Sequence, residues 1–214
     1  MNPIMRNKGL LLAAVLALPL SACLGLKPPK PPATLFTLTA PQPASLPARR
    51  AAAGNAVTIA VPTVPATLQT VRIPVQTSAT EFAYLKHGQW METPNQLFAR
   101  LLSDTVSTRT NMVVLDPRQT THDPGHRLTG QLLAFDLDMT DRANPHVHVR
   151  YDAALTLAGD GGVNTRRFEV TLPVAAQDEH SVSRALNDAA NQVAVQVAQW
   201  LASLPLAGTA PAAP

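Results

Sequence analysis

Cys23 is the residue of this 214-residue chain whose type and position most clearly indicate a chemical reaction, because it is the only thiol and lies just after an apolar run. Two positive charges, Arg6 and Lys8, precede that run, which covers residues 9–20 and consists almost entirely of Leu, Ala and Val. As a helix rising about 1.5 Å per residue, the run is too short to span ~30 Å of hydrocarbon. The pattern is typical of a secretory signal, so the Cys23 thiol is expected at its end and not in a protein core.

The four residues Leu20-Ser21-Ala22-Cys23 resemble the lipobox of bacterial lipoproteins. The resemblance implies transfer of a diacylglyceryl group to the Cys23 sulfur, removal of residues 1–22 as a signal peptide, and acylation of the new N-terminus. The alternative is an ordinary signal peptide followed by a chance cysteine. Leu24 occupies the position where an Asp would resemble an inner-membrane retention signal, which favours the inner leaflet of the outer membrane.

Composition limits the function classes that the remaining chain can serve. Without residues 1–22, which carry Arg6 and Lys8 and no acidic residue, 15 basic residues face 14 acidic ones, so the net charge is +1. This balance does not indicate a nucleic-acid partner. No later run reaches the length of a membrane-spanning helix. With Cys23 acylated no thiol is left for a disulfide, so the folded state has to be stabilised by its core.

The mature chain is predicted to hold one domain between two tails. Residues 23–33 contain the lipidated cysteine and a Pro-rich linker, which can extend by about 3.1 Å per residue and lift the domain ~30 Å from the bilayer. The alternative interpretation of this linker is that residues 28–32 form a PxxP-type motif that a partner domain binds. The domain is predicted at residues 34–203, and the Pro- and Ala-rich tail at 204–214 is predicted to be disordered.

A second group of residues with chemical potential is the His146-Val147-His148 sequence. In a strand, alternation places His146, His148 and Arg150 on one face. With Asp136 or Asp138 from a neighbouring strand, the two imidazoles could bind a metal ion. Arg150 would repel such an ion, and no third ligand is fixed by spacing, so a solvated or partner-facing strand is the favoured interpretation and no metal or other cofactor is predicted.

Two serine-containing pairs have the residue types of a catalytic nucleophile and its partner. Ser103 with Asp104, and Ser181 with His180, lack the strand–turn–helix context of a nucleophile elbow. The glycine-rich segment at residues 159–162 lacks the lysine and helix of a phosphate-binding loop and is typical of a hairpin turn. The sequence therefore predicts no catalytic residue.

Two helices are predicted to build one layer of the domain. Thr93-Pro94-Asn95-Gln96 is typical of a helix start, with Thr93 as cap and Gln96 closing a capping box. Asp178 and Glu179 favour the start of the second helix through its dipole. Apolar residues then recur at helical spacing: Leu97, Phe98, Leu101, Leu102 and Val106 in the first helix, and Val182, Leu186, Ala189, Val193, Val197, Trp200 and Leu201 in the second.

Alternating apolar residues and turn signals predict the strands that the helices cover. Pro74 removes an amide, so the strand containing it is expected at an edge. The last three strands are predicted to form an antiparallel meander with one wet face. The predicted fold is an α/β single-domain sandwich, with two helices on one face of a mixed, mostly antiparallel sheet. The predicted strands cover residues 34–39, 57–61, 71–76, 81–84, 112–115, 128–139, 146–157 and 165–172.

A partner-binding surface is predicted at the strand that contains Pro74 and at the segment that follows it. Alternation places Arg72 and Gln76 on one side of that strand, and Tyr84 and Trp90 could add aromatic area suited to a binding hot spot. The alternative is that Tyr84 and Trp90 are ordinary core aromatics. The expected occupant of this surface is a partner protein or a neighbouring copy of the same chain.

The order of strands, helix, short strand, meander and helix, together with the lipobox, resembles the ABC-type transport auxiliary lipoprotein family, in its PqiC-like group. One feature departs from the family pattern, in which Trp-Ala-Glu-Pro is expected: here Pro94 falls one residue later, after Thr93. The resemblance covers roughly residues 33–203. It is carried by Leu35-Phe36-Thr37-Leu38, Val57-Thr58-Ile59-Ala60-Val61-Pro62, Arg72-Ile73-Pro74-Val75-Gln76-Thr77, Phe82-Ala83-Tyr84 and Trp90-Met91-Glu92.

The resemblance implies a non-enzymatic accessory of an ABC transporter that carries a mammalian-cell-entry (MCE) domain protein and moves lipid between the two membranes. Its implied partners are the MCE protein with its permease and ATPase, and the outer membrane through the lipid anchor. A homo-oligomer is a further possibility. Two alternatives stay open: a structural or stress-related envelope lipoprotein without a transporter, and a periplasmic enzyme.

Overall fold

A computed structural model describes the chain at residues 34–41, 48–52, 54–116, 125–159 and 162–205. The predicted signal peptide, the Pro-rich linker, residues 160 and 161 of the glycine-rich turn, and residues 206–214 of the tail lie outside the described residues. Among those described, no helix has the length and apolar character needed to cross a membrane.

Nine strands, two α-helices and a short 3-10 helix at Ala66–Leu68 follow one another in the described residues, and the α/β fold predicted from the sequence is confirmed. The eight predicted strand segments have counterparts, and Gln89–Trp90 is an additional short strand. In chain order the elements are β1 (Leu35–Phe36), β2 (Ala56–Ile59), β3 (Pro74–Ser78), β4 (Glu81–Tyr84), β5 (Gln89–Trp90), α1 (Pro94–Arg109), β6 (Val113–Leu115), β7 (His126–Asp138), β8 (His146–Thr156), β9 (Val163–Pro173) and α2 (Glu179–Ser203).

The long strand β7 organises the main, seven-stranded sheet. On one side it pairs antiparallel with β8, which in turn pairs antiparallel with β9 along its whole length. Its other side is shared by two parallel strands: β2 lies beside the first half, with Val57 opposite His126, and β3 beside the second half, with Val75 opposite Leu137. The short strands β6 and β4 extend the sheet beyond β2 and β3. The sheet is therefore mixed, with its longest pairings antiparallel.

The two helices pack against each other and against the sheet. Every residue of the predicted apolar stripes is buried in α1 and in α2, as the helical spacing predicted. Asp178 caps α2 by accepting hydrogen bonds from the amides of His180 and Ser181. The predicted capping box of α1 is wrong, because the Thr93 side chain makes no capping hydrogen bond. Its carbonyl oxygen accepts from the Gln96 amide instead, at 3.0 Å.

The prediction that Pro74 marks an edge strand is corrected by the pairing of β3. This strand lies between β4 and β7, so it is internal to the sheet and β4 forms the edge. Pro74 is tolerated because it is the first residue of β3, a position at which strands accept proline. The edge strand is therefore β4, which contains Phe82 and Tyr84, and not the predicted strand β3.

Candidate partner-binding surface

Arg72 and Tyr84, two of the four predicted surface residues, lie against each other. The Arg72 guanidinium stands 4.4 Å from the centre of the Tyr84 ring, a cation–π arrangement. The Tyr84 hydroxyl donates a hydrogen bond to the carbonyl oxygen of Thr67 at 3.3 Å. Arg72 is exposed and Tyr84 is half-buried. The pair therefore presents a positive charge and an aromatic ring at the surface, and the hydrogen bond to Thr67 holds that ring in place.

Gln76, the third predicted residue, lies in a row that crosses the sheet. In β3 it is directly opposite Phe82 of β4 on one side and Asp138 of β7 on the other. Asp138 is in turn opposite His146 of β8. Because directly opposite residues share a face, Phe82, Gln76, Asp138 and His146 line the same side of the sheet. Phe82 is 42% exposed, an apolar group in an otherwise polar row.

Trp90, the fourth predicted residue, lies in the core and not on the surface. Only 1% of it is exposed. Its ring meets Phe36 and Phe135 edge to face, with centroids 6.3 and 5.5 Å away. Parallel pairing of β1 with β5 sets Trp90 beside Phe36, and no signal within residues 81–90 reveals that pairing. The alternative left open by the sequence, a core aromatic, is correct for Trp90.

The outer face of the β7–β8–β9 meander continues this surface as a set of ion pairs. His148 Nε2 lies 2.7 Å from Glu169 Oε1, and the Arg150 guanidinium donates to the same oxygen at 2.6 and 3.0 Å. The hydrogen bonds from Arg150 and then from His148 hold the pKa of Glu169 below its ordinary value. His146 Nε2 stands 3.7 Å from Asp138 Oδ2. The histidines and Arg150 share one face, as alternation predicted.

Asp136 is a buried carboxyl group in the middle of this surface. The residue is 5% exposed, and its Oδ1 atom has no hydrogen-bond partner among the residues that the structure describes. Burial raises the pKa of Asp136 to about 6, against the opposing influence of His148. Asp136 lies opposite His148, on the polar face of the meander, and its burial shows that this part of the face is covered.

The histidines and serines named as candidate metal ligands and nucleophiles have structural surroundings of a different kind. In the described ranges, no group of three His, Cys, Asp or Glu side chains is placed to hold a metal ion. The Ser103 hydroxyl donates to the Ala99 carbonyl within α1 at 2.9 Å. The Ser181 hydroxyl donates to Asp178 at 2.8 Å as part of the helix cap. Both hydroxyl groups therefore take part in the local structure of a helix.

Two solved structures have a similar fold at low sequence identity. Protein XCC0632 from Xanthomonas campestris, described as a member of family DUF330, gives a TM-score of 0.65 at 18% identity, covering 78% of this chain and 94% of that one. An uncharacterized protein gives a TM-score of 0.63 at 14% identity, covering 79% of this chain and 98% of the other. These similarities show the fold alone.

The family is shown by the sequence itself. No curated protein matches the chain significantly. The family model described as ABC-type transport auxiliary lipoprotein component matches residues 36–198, which include strands β2 to β9, all of α1, most of α2, and Arg72, Gln76 and Tyr84. The resemblance inferred from the ordered motifs is thereby confirmed, and the chain belongs to the ABC-type transport auxiliary lipoprotein component family.

Proposed function

We propose that the protein is a non-catalytic accessory of an ABC/MCE-type intermembrane lipid transport system, anchored by Cys23 to the periplasmic side of the outer membrane. The family match over residues 36–198 carries this proposal. The lipobox at residues 20–23 supplies the anchor, and Leu24 in place of Asp supports the outer membrane as its location. In this role the domain docks the periplasmic conduit that the MCE protein forms.

The docking surface in this proposal consists of Arg72, Gln76, Phe82 and Tyr84. Arg72 and Tyr84 are held together by the cation–π contact, and Phe82 is an exposed apolar group opposite Gln76. Arginine and aromatic residues are the types that most often dominate binding energy at protein interfaces. Trp90 contributes only by supporting the fold from the core.

The anchor is tested by two substitutions next to the cleavage site. Cys23→Ser removes the only acceptor for the diacylglyceryl group, so the protein should appear as soluble or unprocessed precursor in cell fractionation. Leu24→Asp is the matched control, because it keeps the cysteine and is expected to move the anchored protein to the inner membrane. Equal membrane retention of wild type and Cys23→Ser would refute lipid anchoring, and an unchanged location for Leu24→Asp would refute the sorting argument.

The partner is tested by affinity capture of the tagged, anchored protein from solubilised envelopes. An MCE-domain protein, a permease and an ATPase should be recovered with the wild type. The double change Arg72→Glu with Tyr84→Ala should lower their recovery at least tenfold, whereas Arg109→Glu, an exposed charge reversal in the last turn of α1, should leave it unchanged. Melting temperatures within a few degrees of the wild type would show that the variants are folded.

Each outcome of the capture experiment has a definite meaning. Undiminished recovery from the folded double variant would place the interface elsewhere. A collapsed melting curve would show that Arg72 and Tyr84 mainly support the core. Recovery of envelope proteins with no transporter component would contradict the proposed function in favour of a structural or stress-related lipoprotein.

A further inference from the structure

The strand β9 has a long edge without a partner in the described part of the chain. It runs for 11 residues, Val163–Pro173, and pairs only with β8. The other edge strands of the main sheet, β4 and β6, have 4 and 3 residues. Natural proteins usually keep free edges short, because unpaired backbone groups act as a template for another strand. Among the described strands, the free edge of β9 is therefore the longest site for strand addition.

The hydrogen bonds at both ends of β9 show which of its residues direct their backbone amide and carbonyl groups away from β8. Leu157 donates its amide to the Gly162 carbonyl at 2.9 Å, and Val174 donates to the Pro145 carbonyl at 3.4 Å. In an antiparallel ladder the bonded residues alternate, so the even-numbered residues of β9 are bonded to β8. The odd-numbered residues direct their carbonyl groups, and their amides except at Pro173, away from the sheet: Val163, Thr165, Arg167, Glu169, Thr171 and Pro173.

Two of the outward-facing residues carry opposite charges on either side of the strand centre. Arg167 binds Asp152 of β8 through two hydrogen bonds of 2.7 Å, and Glu169 binds Arg150 and His148. Their side chains remain 56% and 38% exposed. Phe168, between them, is the midpoint of β9 and points to the helices, where its ring meets that of Trp200 with centroids 5.6 Å apart.

We propose that β9 pairs antiparallel with β9 of a second copy of this protein, about a two-fold axis through Phe168. Arg167 of each copy then lies opposite Glu169 of the other, and all 11 residues of the strand are paired. On the polar face, charges of alternating sign then form a row across the interface: Asp152 and Arg167 of one copy, followed by Glu169 and Arg150 of the other. The two-fold axis generates a second, identical row. Such an interface is self-complementary, as a two-fold dimer requires.

The charges select this register over its neighbours. A two-fold axis at residue 167 would set two arginines opposite each other, and an axis at residue 169 would set two glutamates opposite each other; both arrangements are repulsive. An axis at residue 166 or 170 pairs neither charge with its opposite and shortens the overlap. Of these registers, only the one with its axis at Phe168 both pairs the outward-directed backbone groups along the whole strand and sets each Arg167 opposite a Glu169. The proposal does not depend on the transport function.

The test uses a pair of charge variants of the full-length protein in detergent. In Arg167→Glu both positions are acidic, and in Glu169→Arg both are basic, so each variant should repel its own copies. A mixture of the two variants restores both opposite-charge pairs. With two affinity tags on separate copies, self-capture should fall at least tenfold for each variant, and capture of one variant by the other should return to near the wild-type level.

A backbone variant separates the interface from the stability of the subunit. Thr171→Pro removes one outward-facing amide and should abolish self-capture, while the melting temperature stays within a few degrees because β8 loses no hydrogen bond. Wild-type protein that is monomeric at tens of micromolar would overturn the proposal. So would an oligomer that survives Thr171→Pro, or a variant mixture that associates no better than either variant alone.

Discussion

Asp136 is a residue at which protonation and folding are coupled between acidic and neutral pH. Its pKa is 3.8 in an ordinary environment and about 6 in the fold, where burial disfavours the charged form. Since the acid has a raised pKa in the folded state, the unfolded chain loses its proton first as the pH rises. The free energy of unfolding contributed by this group therefore falls between about pH 4 and pH 6 and stays low above that range.

Asp136→Asn should remove this pH dependence, because the amide has the same shape and carries no charge. His148, Asp138 and His146 face the same carboxyl group and are retained in the variant. Relative to wild type, the variant should gain on the order of 2–3 kcal/mol in unfolding free energy between pH 4 and pH 7, from roughly two pKa units at about 1.4 kcal/mol each. Urea unfolding at several pH values measures this; parallel stability curves for the two proteins would contradict it.

Gly130 is required by a close approach of backbone and ring. A Cβ atom there would lie 2.4 Å from the Asp152 carbonyl oxygen and 2.5 Å from the Tyr151 ring. Gly130→Ala should therefore lower the unfolding free energy by about 1–3 kcal/mol through overpacking. Gly162→Ala is the matched control, since its nearest contact is 3.9 Å away, and its change should stay within about 0.5 kcal/mol. Equal values for both variants in urea unfolding would be inconsistent with the close contact.

Among the elements, α1 offers a direct test of helix packing. Leu101 is buried in the core, so Leu101→Ala should lower the unfolding free energy by about 2–5 kcal/mol through lost transfer energy and a cavity. Gln96→Ala in the same helix alters an exposed side chain and should cost less than about 0.5 kcal/mol. A loss of that small size for Leu101→Ala in urea unfolding would contradict the packing of α1 against the sheet.

Local patterns predicted the strands and helices well where one face is uniformly buried. In β8, alternation correctly placed Val147, Val149 and Tyr151 inside. Strict alternation is interrupted in β7, because a register shift between Leu132 and Ala134 leaves Leu133 as an extra residue that has no partner in β8. A bulge of this kind depends on the partner strand, so the sequence of β7 alone does not reveal it.

The candidate site was predictable only in the part built from neighbouring residues. The contact of Arg72 with Tyr84 follows from the β3–β4 hairpin, whose two strands are close in sequence. The burial of Trp90 depends on Phe36, which is far away in the chain, and the covered position of Asp136 depends on the packing around a sheet face. Both features depend on contacts between segments that are far apart in the sequence. The pattern of apolar residues within a single strand does not reveal such contacts.

For the whole molecule, the position of β7 predicts where unfolding costs most. It is flanked by β8 on one side and by β2 and β3 on the other, whereas β1 and β5 form a separate two-stranded sheet. Amides of β7 and β8 should therefore exchange slowest with deuterium, at rates that approach global unfolding, and those of β1 and β5 should exchange through local opening. Hydrogen exchange with mass spectrometry measures this order, and equal protection of β1 and β7 would contradict it.

The shared edge of β7 also determines the order in which a newly made chain can fold. Val57 of β2 pairs with His126 of β7, and Val75 of β3 pairs with Leu137 of β7. Both β2 and β3 therefore leave the ribosome long before the strand with which they pair. The meander of β7, β8 and β9 closes through nearby residues and can form as soon as it emerges, whereas distant parallel pairings are slow. A nascent chain shorter than about residue 126 therefore exposes apolar strands without β7. Holding such a chain unfolded until its C-terminal half is available favours export before folding.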